Sequence, residues 1–143
     1  MYSSCAQICL LRPVVCLITL NTTSFRILSA GLEGGIIQTQ ELPLVISTMS
    51  DGFAGHLFVW DFVKENWGRI IEKFPVGSYP IQSIIKSTTS QFSTQTHLEE
   101  VQGFFSSLKE RGSQMRSVQE ALETIELNQL WMDRNLPTLR HWL

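Results

Sequence analysis

The chain has 143 residues, of which 43% are hydrophobic and 17% charged, with a formal charge of −2. That length and balance suit one domain with an apolar core. Lys and Arg are scattered among acidic residues, so there is no basic stripe of the kind that binds nucleic acid.

Cys5, Cys9 and Cys16 all stand near the start of the chain. Their spacing matches no zinc pattern, no histidine is nearby, and the remaining chain has no cysteine for internal disulfides. The stretch CLLRPVVCLITL (Cys9 to Leu20) is apolar, but Arg12 and Pro13 interrupt it and it is too short to span a bilayer. It has the apolar centre of a secretory signal without the positive charge that should precede it, which leaves that reading open. Asn21-Thr22-Thr23 is a glycosylation sequon, meaningful only in the secretory pathway. The first thirty or so residues lean towards Cys, Ser and Thr, and GLEGG (Gly31 to Gly35) marks a break.

Beyond it the pattern is helical throughout. Thr39 to Pro43 reads as a helix start leading into Leu44, Val45 and Ile46, and SDGFAG (Ser50 to Gly55) ends that helix. A long helix is predicted over Ala54 to Phe74. Trp60, Val63, Trp67, Ile70, Ile71 and Phe74 form its apolar stripe, which Phe58 and Phe62 widen. Trp60 and Trp67 are seven apart on that stripe and read as core, not as a ligand cage. Pro75 to Ser78 is a turn, and a helix follows over Tyr79 to Ser90 with Ile81, Ile84, Ile85 and Thr88 on one side.

Thr96-x-x-Glu99 has the form of a capping box opening the next helix, whose stripe is Leu98, Val101, Phe105 and Leu108. Gly112 stands where a C-terminal cap belongs. The last long helix is predicted over Ser113 to Leu136, carried by Met115, Val118, Leu122, Ile125 and Met132, with Pro137 breaking or restarting it. The resulting fold class is all-α. Broad apolar faces on consecutive helices with short turns point to antiparallel pairs stacked as a HEAT- or armadillo-like α-solenoid fragment.

No reactive centre emerges from the residues. His97, Glu99 and Glu100 fall within one helical turn, but a catalytic zinc normally takes three protein ligands, and His56 and His141 are far away in sequence. No Gly-x-Ser-x-Gly elbow occurs, and GLEGG lacks the Lys and Ser/Thr of a phosphate loop. The expectation is no catalytic residue, no metal site and no cofactor in this chain.

The segment WDFVKENWGRIIEKF (Trp60 to Phe74) resembles the C-terminal helical domain of the oxytocinase-type zinc aminopeptidases, the group of endoplasmic reticulum aminopeptidases and insulin-regulated aminopeptidase. The likeness continues through IIQTQELPLVI, GSYPIQSII, TTSQFSTQTHLEEVQGFFSSLKERGSQ and VQEALETIELNQLWMDRNLPTLRHWL. It covers residues 28–143 and leaves residues 1–27 as a divergent leader. The resemblance implies the last helix pairs of a HEAT-like bowl that closes over a zinc-bearing catalytic domain and encloses a peptide. Neither the His-Glu-x-x-His zinc motif nor the Gly-Ala-Met-Glu-Asn amine-binding segment of such enzymes is present in this sequence.

By the same resemblance Ser78 and Tyr79 line the peptide chamber, with Gln82 and Gln91 as weaker candidates; an ordinary helix–helix turn at Pro75 to Tyr79 stays open beside it. The partners implied are a peptide substrate or the catalytic domain. Neither nucleic acid nor a membrane span is expected. A stand-alone α-solenoid that binds a partner protein, or a truncated gene product, are the alternatives. Family likeness points to the secretory pathway, and to the cytoplasm if the leader is no signal.

Overall fold

A computed structural model describes residues 22–35, 37–52, 54–108 and 116–142. These are all-α, with no strand among the described residues. The chain divides into two compact units, Met1–Leu42 and Pro43–Leu143. Gly112 and Met115 lie outside the described residues.

In the first unit, helix α1 covers residues 22–33 and buries Leu28 and Leu32, four apart on one face. It runs through the first three residues of the expected GLEGG break. The helix ends at Gly34, whose φ of 74° is a left-handed conformation, and the Gly34 amide donates to the Ala30 carbonyl at 3.1 Å. A 3-10 turn, Thr39–Glu41, leads into Leu42.

Helix α2, Leu42–Ser50, is closed by its last residue: the Ser50 hydroxyl donates back to the Ile46 carbonyl at 2.8 Å. The chain then turns through Gly52 to Gly55, where α3 (Gly55–Lys73) begins. A Cβ on Gly55 would lie 1.8 Å from the Met49 carbonyl oxygen, so only glycine lets α3 start this close to the end of α2. The buried face of α3 is Val59, Trp60, Phe62, Val63, Trp67 and Ile70, continued by Phe74 just past its end. Phe62 is therefore core, while Phe58 and Ile71 sit half-buried at the edges of the stripe.

Gly77, with φ of 83°, makes the turn into α4 (Tyr79–Thr89), and Pro80 sits in the first turn of that helix, where its missing amide is not needed. Ile81, Ile84 and Ile85 are fully buried on α4. Thr88 and Thr89 are buried with them; their hydroxyls donate to the Ile84 and Ile85 carbonyls at 2.7 and 2.8 Å, so neither leaves a polar atom stranded.

Helix α5, Gln95–Ser107, starts two residues earlier than the capping box predicts. Its cap is Thr94, whose hydroxyl accepts from the His97 amide at 3.3 Å; Thr96 is already helical, and Glu99 accepts from Gln95 Nε2 at 2.9 Å.

Helix α6, Arg116–Trp142, packs against α4 and α5 and buries Val118, Ala121 and Ile125. It continues through Pro137 without a break. A proline costs the helix one bond, to the carbonyl four residues back, and Pro137 stands on an exposed stretch where water can take that carbonyl's place.

Two glycines of α3 test this packing in opposite directions. Gly55→Ala is expected to destabilise the chain by roughly 1–3 kcal/mol, because the new methyl meets backbone. Gly68→Ala meets nothing within 4 Å and is expected to stabilise by about 0.5–1 kcal/mol through helix propensity. Urea unfolding midpoints of the two variants against the parent chain check both signs.

Candidate functional site

The predicted site residues fall at the start of α4 and just past its end. Ser78 is the N-cap residue of α4, with extended backbone angles. Its hydroxyl caps nothing and is buried without a hydrogen-bond partner, which is an uncommon state for a buried polar atom. Tyr79 is 80% exposed and projects from the first turn. Gln82 reaches back to donate to the Gly77 carbonyl at 3.0 Å, tying the turn to the helix.

Tyr79 and Gln82 open a groove of about 400 Å³ that runs between α4 and α6. Ser83, Lys86, Ser87 and Ser90 line its α4 wall; Ser117, Glu120 and Thr124 line the α6 wall. The spacing along each helix explains this polar seam: Ser83, Ser87 and Ser90 recur at four and three, beside the buried isoleucines. Glu120 is held by Arg116 at 2.8 Å, whereas Lys86 has no ion-pair partner among the described residues.

Gln91 does not join the groove. It donates to the Ser50 carbonyl at 3.0 Å and so pins the segment after α4 to the end of α2. Asn128 of α6 makes a second pin on the same segment, donating at 2.9 Å to both the Ser90 and Phe92 carbonyls. Periodicity marks neither residue, because their partners are carbonyls far off in sequence. Between the pins Phe92 is fully buried, with Trp60 edge-on at 5.9 Å and His97 stacked at 4.4 Å.

His97 and Glu100 have other employment than a metal. Glu100 accepts from the Lys64 ammonium and, at 3.1 Å, from the Trp60 indole. The Lys64 hydrogen bond, with help from the indole, holds the Glu100 carboxyl below the usual range although burial opposes it. Lys64 also pairs with Asp61 at 2.8 Å; burial pulls its pKa down, but bonds to Asp61 and Glu100 raise it on balance. Lys64 thereby cross-links α3 to α5. No group of three or more His, Cys, Asp or Glu side chains among the described residues is placed to hold a metal ion. Nor is any helix of the described residues long and apolar enough to cross a membrane.

Taken together, these features define an all-α helical domain with a hydroxyl-lined groove at its α4–α6 seam. The model for the ERAP1-like C-terminal domain matches residues 22–127, and the chain belongs to that family. Similar proteins include endoplasmic reticulum aminopeptidase 1 of Rattus norvegicus, 48% identical over 117 residues, which are 82% of this chain and 13% of the relative. Endoplasmic reticulum aminopeptidase 2 of Homo sapiens is 43% identical over 118 residues, covering 82% of this chain and 12% of the relative. Aminopeptidase N of Canis lupus familiaris is 28% identical over 119 residues, again 82% and 12%. The chain thus spans a small part of the length of these relatives.

The double pin of Asn128 gives a direct test. Asn128→Ala leaves two carbonyls without their donor and is expected to cost about 1–3 kcal/mol. Asn128→Asp, which cannot donate when ionised, is expected to cost at least as much at neutral pH. Chemical denaturation of both variants is the check; an Asp variant as stable as the parent contradicts the assignment.

Proposed function

We propose that this chain is a non-catalytic C-terminal helical segment of a peptide-trimming zinc aminopeptidase, acting in substrate enclosure and domain closure. The single observation that carries this reading is membership of the ERAP1-like C-terminal domain family over residues 22–127, together with 43–48% identity to endoplasmic reticulum aminopeptidases. In this reading the helices stack as a fragment of an α-solenoid, zinc belongs to a catalytic domain, and the compartment is the endoplasmic reticulum lumen or secretory pathway.

Ser78 and Tyr79 are the residues proposed to meet peptide, with Gln82 beside them in the groove. The geometry supports Ser78 and Tyr79 for separate reasons. A buried hydroxyl without a partner gains a hydrogen bond when a peptide amide arrives. An exposed tyrosine gives a large rigid contact surface at little entropic cost. Gln91 donates to the Ser50 carbonyl and shapes the segment beyond the groove, and stays the weaker candidate for peptide contact.

A second reading, a helical module that binds another protein, is favoured by one observation. Helix α6 exposes Leu127 (66%), Leu130 (51%) and Trp131 (56%) away from the Val118–Ile125 face that it buries. Apolar residues on both faces of one helix suit a layer packed from two sides.

A chimera tests the leading proposal. Residues 22–142 of this chain replace the matching segment of rat endoplasmic reticulum aminopeptidase 1, and cleavage of a nine-residue peptide is compared with that of a single aminoacyl fluorogenic amide. The chimera should process both. Ser78→Ala and Tyr79→Ala should each lower kcat/KM for the peptide by about fivefold, the loss of roughly 1 kcal/mol of binding, and leave the small amide unaffected. Equal effects on both substrates, or none on the peptide, contradict the proposal. The chain alone should show no chelator-sensitive aminopeptidase activity.

A further inference from the structure

We propose that His56, Phe92 and His97 form an acid-sensitive latch, in which the His97 imidazole stacks on the Phe92 ring, with His56 against the edge of that ring, and holds the segment joining α4 to α5. The rings come from three places in the chain: His56 from the first turn of α3, Phe92 from the joining segment and His97 from the first turn of α5. His97 lies flat on Phe92, with centroids 4.4 Å apart and planes 18° apart; His56 meets the same ring near its edge at 5.9 Å and 65°. The Nδ1 atoms of both histidines are buried and make no hydrogen bond. Neither is a satisfied core histidine, and the groove and its peptide contacts use neither.

A neutral His97 imidazole fits this place better than its cation. Its Nδ1 atom is buried, and charging a half-buried ring costs desolvation. His97 is also the third residue of α5, where the helix dipole opposes a cation. The charged groups acting on His97 are Glu100 of its own helix and His56 of α3. Glu100 is the one that favours a cation, and it is already engaged by Lys64, which Asp61 shares. Burial, ahead of the opposing Glu100 and the adverse His56, sets His97 below its ordinary value of 6.5. The sign follows directly: a histidine with a depressed folded value binds fewer protons than the unfolded chain. Its stabilising contribution is complete above about pH 6.5 and is lost progressively as pH falls below that towards the folded value.

The latch has a structural consequence beyond itself. Asn128 holds the carbonyls of Ser90 and Phe92 together, and Ser90 is part of the groove wall. Releasing Phe92 therefore loosens one end of the groove, together with the Gln91 pin to Ser50. A mildly acidic compartment opens this end, and a neutral one keeps it shut.

Amide hydrogen exchange of the full chain, expressed as protection factors at pH 7.5 and 5.5, tests the latch. The reporters are the amides of Phe92, His97 and Leu98, which donate to Thr89, Thr94 Oγ1 and Thr94. The Gln82 amide, bonded to Ser78, is the control. Protection at the reporters should fall several-fold at the lower pH, and by less than about twofold in a His56→Phe/His97→Phe double variant. Gln82 should hold in both. Unchanged protection in the parent chain, an equal fall in the double variant, or an equal fall at Gln82 overturns the latch. If the double variant does not fold, NMR titration of the two imidazoles in the parent chain decides. A His97 midpoint below 6.5 that tracks the loss of protection supports the latch, and a loss unrelated to that midpoint refutes it.

Discussion

The burial of Phe92 is the constraint on which the second unit depends. A phenyl ring on a short connecting segment is fully enclosed, its amide bonded to Thr89 of α4 at 3.1 Å and its carbonyl to Asn128 of α6. Trp60 of α3 and His97 of α5 cover the ring. One residue thus ties four helices by apolar contact and backbone bonds together. Trp60 and Trp67 extend the same aromatic packing to Phe104 and Phe105 of α5, with centroids 5.4 to 6.3 Å apart and mostly edge-on planes. Such geometry places ring edges against ring faces, the arrangement their quadrupoles favour.

Around this centre polar groups are settled locally. Ser50, Thr88 and Thr89 return their hydroxyls to carbonyls of their own helices, and Glu100 collects the Trp60 indole and Lys64. The buried polar atoms left over are few and placed with meaning. His56 and His97 flank Phe92, and Ser78 heads the groove.

Much of the fold was legible in the sequence because the helices of the second unit are amphipathic with broad stripes. Trp60, Val63, Trp67 and Ile70, then Ile81, Ile84 and Ile85, declare their buried faces by spacing alone, and Gly55 and Gly77 stand where the backbone demands glycine. Boundaries were harder. Thr94 and Thr96 carry the same capping hydroxyl, and the structure uses Thr94. Pro137 looks like a stop in any sequence, yet a single lost bond at an exposed position does not outweigh the rest of α6. The candidate site was less legible: Ser78 and Tyr79 were named through family likeness, and the turn with Pro and Gly before α4 needs no ligand to explain it. Contacts such as Asn128 with Ser90 and Phe92, or His56 with His97 across a ring, join residues some forty apart, and no local pattern carries them.

The central claim is that Phe92 fastens the second unit, and its removal tests that most directly. Urea unfolding of Phe92→Ala in the full chain should show a loss of about 3–5 kcal/mol, the cost of emptying a fully buried aromatic site, with coincident loss of helical signal from α3 to α6. A variant within about 1 kcal/mol of the parent, where ordinary surface changes fall, would mean that the helices hold together without it and would contradict the account.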